Sequence, residues 1–191
     1  MRYCVFSGSS PGVREGYAKA AAELGRLLAI EGIGLVYGGS SVGLMATIAN
    51  ATLAAGGEVI GVIPRALVQR EVAHTGLSDL RVTRSMHERK ALMAELSDGF
   101  IALPGGIGTL EETFEMWTWA QLGDHQKPCA LLNCEGFYDG LTNFLDHVVK
   151  EGFLREAHRH TLICETDPQN LLRAMKQYVP PTPVSKWIGR E

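Results

Sequence analysis

The chain has 191 residues, of which 46% are hydrophobic and 20% are charged, a composition that is ordinary for a globular protein and excludes a disordered one. The formal net charge of −3 and the lack of any Lys or Arg block argue against nucleic acid as a partner, so small ligands are expected instead. The length is most simply one domain with a substantial core.

The first predicted strand, residues 3–7, is an apolar run too short for a signal peptide, and no later segment approaches the length of a membrane span. Tyr17, Ala21, Leu24 and Leu28 recur at helical spacing and predict an amphipathic helix behind it. Further strands are predicted at residues 34–37, 59–63, 80–82, 100–103, 129–132 and 161–164. Further helices are predicted at residues 44–55, 86–96, 110–122, 138–151 and 168–178.

Apolar strands that alternate with helices predict a parallel sheet covered on both faces. The expected fold class is therefore α/β, a single Rossmann-like domain built as a three-layer αβα sandwich with a parallel sheet of about seven strands. The domain is expected to span residues 1–179. Residues 180–191 begin with two prolines, which cannot continue a helix, and are expected to form an extended C-terminal tail.

The four cysteines, Cys4, Cys129, Cys134 and Cys164, show no CxxC spacing, and three of them lie in strand-like runs. Thiols in such runs usually behave as small buried hydrophobic groups, so we expect structural cysteines and a cytoplasmic location. The six histidines show no HExxH or comparable spacing, and a metal site is not expected.

Three glycine-bearing loops follow predicted strands and should meet at the carboxyl edge of the sheet, where ligands bind in such folds. They cover residues 7–12, 38–43 and 104–109. None matches Walker A or GxGxxG, and each alone could be a plain turn. Together they favour a mononucleotide over an intact dinucleotide cofactor. The first two loops supply secondary candidate positions at Gly8, Ser9, Gly38, Gly39 and Gly43.

The third loop leads directly into a predicted helix. Glycines let successive amides point into one concavity, and a helix N-terminus favours an anion there. The amides of Gly106, Gly108 and Thr109 are therefore candidates to hold a phosphate. Two carboxylates, Glu111 and Glu112, follow in the same turn. Because residues 109–112 also match a capping box with Thr109 as N-cap, Glu112 is at this point either a helix cap or a catalyst.

Arg89 is the second candidate for chemistry, because it lies on the apolar face of a helix. Ser85 and Glu88 resemble a capping box, so a helix should begin there. Apolar residues at positions 86, 92, 93 and 96 fall within about 60° of Arg89 on the helical wheel. A buried guanidinium needs an anionic partner, either a ligand or an internal carboxylate. The neighbouring His87 and Lys90 lie off this face and are expected on the solvated surface.

Both segments resemble the LOG (Lonely Guy) family of cytokinin-activating phosphoribohydrolases. Residues 104–112 fit its PGGxGTxxE signature, and residues 86–90, Met-His-Glu-Arg-Lys, fit its second segment. Residues 36–39, 43–45 and 119–123 are also similar, so the resemblance runs from about Tyr3 to Tyr178. One departure is Ile107, which stands where many relatives have tyrosine.

The resemblance implies that residues 1–179 form a nucleotide-binding catalytic domain. It would hydrolyse the N-glycosidic bond of an adenosine 5′-monophosphate, often N6-modified, to the free base and ribose 5-phosphate. A homodimer without a metal or redox cofactor is implied as well. Arg89 and Glu112 match the family's catalytic pair. The substrate-binding positions carried over are Glu71, Arg89, Lys90, Gly106, Ile107, Gly108, Thr109, Leu110, Glu111, Glu112 and Thr118.

Two other functions were weighed against this one. Family members are often labelled lysine decarboxylases, which would require a lysine that forms a Schiff base with pyridoxal phosphate. Neither Lys90 nor Lys127 stands in such a context. A non-catalytic carrier of a nucleotide or phosphorylated cofactor is the alternative, because glycine loops need not catalyse anything. The apolar side chains around residues 113–119, namely Phe114, Met116, Trp117 and Trp119, fit either a dimer contact or internal burial.

Overall fold

A computed structural model describes residues 1–68, 73–77 and 79–181. Within these residues, all seven predicted strands are present and form one parallel sheet in the order β4-β3-β2-β1-β5-β6-β7. The order reverses between β1 and β5, which creates the crevice where ligands bind in folds of this kind. The strands are β1 Arg2–Phe6, β2 Gly34–Tyr37, β3 Val59–Pro64, β4 Asp79–Thr83, β5 Gly99–Ala102, β6 Cys129–Leu132 and β7 Leu162–Glu165.

The described part of the chain also contains the six predicted helices and two short ones that the sequence did not indicate. The short helices, α3 and α7, have four residues each, which is too few for a periodic pattern to be recognised. The helices are α1 Glu15–Ile30, α2 Gly43–Ala54, α3 Arg65–Val68, α4 Met86–Leu96, α5 Ile107–Leu122, α6 Asp139–Lys150, α7 Glu156–Arg159 and α8 Pro168–Lys176.

The core lies on both faces of the sheet, as the alternation of elements predicted. Side chains along β1 alternate: Tyr3 and Val5 pack against α1, α2 and α8, whereas Cys4 and Phe6 pack against α4, α5 and α6. Covered on both sides, the central strands are apolar throughout and fully buried. The three-layer αβα sandwich is therefore confirmed.

The start of α4 is fixed by the predicted cap. The hydroxyl of Ser85 accepts a hydrogen bond from the amide of Glu88 at 3.1 Å. The Glu88 carboxylate accepts from the amide of Arg84 at 2.8 Å, one residue before the position that a capping box would use. The cap fixes the start of α4 at Met86, and Arg89 lies on the face of this helix that contacts β3.

The four cysteines are free thiols, three of them on strands. Burial raises the pKa of Cys129 to about 12 and that of Cys134 to about 11. These thiols thus remain protonated and unreactive near neutral pH, in agreement with the structural role expected for them.

In residues 1–68, 73–77 and 79–181, no helix is both long and apolar enough to cross a membrane. Within the same ranges, no group of three or more His, Cys, Asp or Glu side chains is arranged to hold a metal ion. The predicted tail lies, from residue 182 onward, outside the described residues, so the division at residue 179 stays a prediction.

Candidate active site

The three glycine loops meet at the carboxyl edge of the sheet, after β1 and β5, which flank the switch point, and after the neighbouring β2. The amide of Gly8 donates to the carbonyl of Pro104, and the amide of Leu44 donates to the carbonyl of Gly8, both at 3.0 Å. Gly43 has a φ of +60°, and a Cβ there would overlap the backbone of Ser9. Only glycine therefore lets the second loop approach the first so closely.

The loops surround a cavity of about 350 Å³, large enough for a small ligand. The first two loops contribute Gly8, Ser9 and Gly38 to its lining. The third loop and the start of α5 contribute residues 106–109 together with Glu111 and Glu112. The predicted convergence of the three loops on one site is confirmed.

The first turn of α5 supplies free amides to this cavity. The helix begins at Ile107, and its first internal hydrogen bond runs from the amide of Leu110 to the carbonyl of Gly106. The amides of Ile107, Gly108 and Thr109 thus have no partner within the helix. Together with the helix dipole, they form a site suited to an anion such as a phosphate.

Arg89 and Glu112 form a buried ion pair in the wall of the cavity. An Nη1–Oε1 distance of 3.3 Å joins them, and their side chains are only 8% and 11% exposed. The guanidinium also donates from Nε to the carbonyl of Val62 at 3.1 Å. Arg89 therefore has an internal carboxylate as its partner, and that partner is the second predicted catalytic residue.

The capping hypothesis for Glu112 is wrong. The N-cap of α5 is Gly106, which has extended backbone angles and makes no side-chain cap. Thr109 is the third helical residue, and Glu112 lies in the second turn, facing Arg89 instead of the helix start. The sequence pattern misled because the helix begins three residues before the predicted start, directly where the loop leaves the sheet.

Lys90 is buried, which corrects the expectation that it lies on the solvated surface. Its side chain is 9% exposed and lies between two carboxylates of α5, at 2.5 Å from Glu111 and 2.9 Å from Glu115. Burial acts to lower the pKa of Lys90, but the hydrogen bonds to Glu111 and Glu115 outweigh burial and raise it. The ammonium group is therefore charged and held by its two partners.

Comparison with known proteins identifies the family. The sequence model of the family described as "Possible lysine decarboxylase" matches residues 45–175. A cytokinin riboside 5′-monophosphate phosphoribohydrolase LOG of Arabidopsis thaliana is 49% identical over 179 residues, which cover 94% of this chain and 84% of the relative. A relative with the same enzyme name from Oryza sativa subsp. japonica is also 49% identical over 179 residues, which cover 94% of this chain and 74% of the relative. The chain belongs to the LOG family.

Solved structures similar to this LOG-family chain include two proteins that handle molybdenum cofactor. The carrier protein from Chlamydomonas reinhardtii superposes with a TM-score of 0.71 at 23% identity, covering 92% of this chain and 96% of the carrier. The molybdenum cofactor binding protein from Rippkaea orientalis superposes with a TM-score of 0.68 at 24% identity, covering 92% of this chain and 94% of the binding protein. At such identities the likeness shows the shared fold alone.

The substrate-binding positions taken from the LOG family divide into three groups. Arg89, residues 106–109, Glu111 and Glu112 line the cavity. Lys90, Leu110 and Thr118 do not line it, and Thr118 is exposed on the outer surface of α5. Glu71 lies outside the described residues. Of the secondary positions, Gly39 and Gly43 shape the loops without lining the cavity.

Sequence reasoning missed several cavity residues. Ser7 lines the cavity, and its hydroxyl is buried without a hydrogen-bond partner among the described residues. Its place at the carboxyl end of β1 was a usable signal. The apolar residues that line the cavity gave no such signal, because their pattern is that of ordinary core positions. They are Val5, Phe6, Met45, Leu67 and Met86.

The family description as a decarboxylase does not fit the two lysines considered from the sequence. A Schiff base forms from a neutral amine, whereas Lys90 is held as a cation by two carboxylates. Lys127 donates from Nζ to the carbonyl of Ala94 at 2.8 Å and does not line the cavity. Neither residue is therefore suited to carry pyridoxal phosphate.

Proposed function

We propose that the protein hydrolyses the N-glycosidic bond of adenosine 5′-monophosphates, including N6-modified ones, and releases the free base and ribose 5-phosphate. The observation that carries the proposal is the buried Arg89–Glu112 pair in the same cavity as the free amides of the first turn of α5. Membership in the LOG family supports it, because relatives of known name act on cytokinin riboside 5′-monophosphates.

The phosphate-binding step uses the start of α5. The amides of Ile107, Gly108 and Thr109 would bind the 5′-phosphate, because they are unpaired and lie at the positive end of the helix dipole. Binding the phosphate at this fixed point orients the ribose, so that C1′ lies near the carboxylate one turn farther along the helix.

The bond-breaking step uses the ion pair. Cleavage of the C1′–N bond leaves positive charge on the ribose and negative charge on the departing base. Water supplies the hydroxyl that C1′ gains, and the proton that this water gives up ends on the base nitrogen that left C1′. The Glu112 carboxylate would stabilise the ribosyl cation or orient that water. The Arg89 guanidinium acts as a fixed cation toward the phosphate or the leaving base.

A direct assay tests the proposal. Purified protein is incubated with AMP or with N6-isopentenyladenosine 5′-monophosphate, and the products are separated by chromatography. We expect free base and ribose 5-phosphate from at least one substrate, and far slower release from adenosine, which lacks the phosphate. Folded protein that releases no base from either nucleotide would contradict the proposal. Tight binding of AMP without release would favour the carrier alternative.

We also propose that the protein is a cytoplasmic homodimer. The four free thiols support a reducing compartment. The four apolar side chains of α5 do not support a dimer, because they are buried or packed against the core of their own chain. Support comes from Thr118, which would need to reach the site of a second copy to contact a nucleotide. Light scattering gives the mass, and a monomer would contradict this part.

A further inference from the structure

Two neighbouring carboxylates line a cavity that must accept an anion. Glu111 and Glu112 both lie in the wall of the cavity, beside the amides at the start of α5. An unpaired carboxylate in this position would repel a phosphate group. Each of the two is instead paired with a cation from α4, Glu112 with Arg89 and Glu111 with Lys90.

The two cations differ in what else they touch. Arg89 lines the cavity, so its guanidinium is within reach of a ligand. Lys90 does not line the cavity, and its buried ammonium group is 2.5 Å from Glu111 and 2.9 Å from Glu115. Two of the three N–H donors of the ammonium group can thus face carboxylates of α5, and the more buried of these carboxylates, Glu115, does not line the cavity.

The charges of this cluster show what the lysine contributes. Glu111 and Glu115 carry two negative charges, and Lys90 supplies the one positive charge that both contact. Without Lys90, the half-exposed Glu111 would present an unpaired negative charge to the cavity. The lysine also bridges α4 and α5 next to the Arg89–Glu112 pair.

We propose that Lys90 is a positioning residue that acts through Glu111: it neutralises and fixes this carboxylate at the edge of the phosphate site and does not bind the phosphate itself. The proposal rests on the function proposed above and changes the role that family resemblance assigns to Lys90. It concerns substrate affinity first, because the charge of Glu111 acts on the phosphate in the bound state.

A double-mutant cycle distinguishes this role from direct binding. The Michaelis constant for AMP is measured for the wild type, Lys90→Met, Glu111→Gln and the double variant. We expect Lys90→Met to raise KM about tenfold, which corresponds to a loss of about 1.4 kcal/mol in substrate binding for this variant alone. The double variant should return to within about threefold of wild type, because the repelling charge is gone. A lysine that binds the phosphate directly would leave the double variant as impaired as Lys90→Met, which would overturn the proposal.

Glu111→Gln by itself gives a second test that does not depend on the stability of Lys90→Met. Glu111 is 52% exposed, so the variant should fold normally. Removing its charge while Lys90 stays should lower KM about two- to threefold. A raised KM would contradict the proposal, since it would mean that the carboxylate itself binds the substrate. Lys19→Met is the matched control for Lys90→Met, because Lys19 pairs with the exposed Glu15 on α1 and does not line the cavity.

Failure of the proposed function and failure of this inference give different results. Wild-type protein that releases no base contradicts the proposed function alone, because the same cycle can be measured as AMP dissociation constants by calorimetry. The dissociation constants are expected to follow the pattern given for KM. Wild-type turnover with a double variant that does not recover contradicts this inference alone. Protein that neither binds nor hydrolyses AMP contradicts both.

Discussion

One ion pair at the amino edge of the sheet is about half exposed, whereas one at the carboxyl edge is nearly buried in the wall of the cavity. Arg2 at the start of β1 holds Glu58 at 2.9 Å, with 40% and 51% of the two side chains exposed. The Arg89–Glu112 pair is longer, at 3.3 Å, and its side chains are only 8% and 11% exposed.

The two ion pairs differ in whether water can solvate a partner that is left alone. An exposed pair contributes little to stability, because water solvates either partner alone. A buried pair contributes little net stability, since both charges lose their hydration. Removing one partner, however, leaves the other charge buried without compensation. The buried pair also lines a cavity with free amides, which favours a role in catalysis over one in stability.

The largest expected effect is on catalysis. Glu112→Gln keeps the shape of the side chain and an oxygen that can accept from Arg89, but it removes the negative charge that would stabilise the ribosyl cation. We expect kcat for AMP to fall about 10³-fold or more, with an unchanged circular dichroism spectrum. Glu58→Gln removes a carboxylate at the amino edge and serves as the control, with full activity expected. A kcat for Glu112→Gln within tenfold of wild type would contradict the catalytic role.

Stability should change most when one partner of the buried pair is removed. Arg89→Met leaves the carboxylate of Glu112 buried without its cation, and we expect a loss of roughly 3–5 kcal/mol in the free energy of unfolding. Adding Glu112→Gln should recover a large part of this loss, because the buried charge disappears. Urea denaturation of the single and double variants measures both values. No recovery in the double variant would mean that Arg89 stabilises the fold mainly through packing and its bond to Val62.

A smaller effect is expected from the glycine that leaves room for Arg89. A Cβ on Gly38 would lie 2.5 Å from Nη2 of Arg89 and 2.9 Å from the sulfur of Met45. Gly38→Ala should displace the guanidinium and lower kcat about 10- to 100-fold, without removing any polar group. Gly140→Ala on α6 is the control. The new methyl group would have no neighbouring atom within 4 Å, so activity should be unchanged. Equal activity of the two variants would show that Arg89 tolerates displacement.

The sequence was sufficient to predict most of the fold for a physical reason. Central strands of a parallel sheet are buried on both faces, so they are short apolar runs that glycines and helix patterns separate. Arg89 could be recognised because it interrupts the apolar face of α4, and that prediction depends only on helical periodicity. The seven strands and the position of Arg89 on α4 depend on such local patterns and were predicted correctly.

Two other features, at Lys90 and at Glu112, were predicted wrongly. The burial of Lys90 could not be predicted from α4, because its partners Glu111 and Glu115 belong to α5 and meet it only after both helices pack on the sheet. The role of Glu112 failed as a cap because the backbone conformation of Gly106, not the residue pattern, decides where α5 begins. The first failure reflects the tertiary environment, whereas the second reflects a local backbone conformation that the residue pattern did not reveal.

The smallest expected effect tests the amino edge. Arg2 donates from Nε and Nη2 to the two oxygens of Glu58, each at 2.9 Å, which is favourable geometry for an ion pair. Exposure should nevertheless decide the outcome, because water replaces either partner. Arg2→Met is expected to shift the melting temperature by no more than about 3 °C at low salt, and by less at 0.5 M salt, where the pair is screened. Activity should not change. If Arg2→Met lowered the melting temperature as much as Arg89→Met, geometry rather than burial would determine the contribution of these pairs, and the contrast between the two edges would no longer point to the active site.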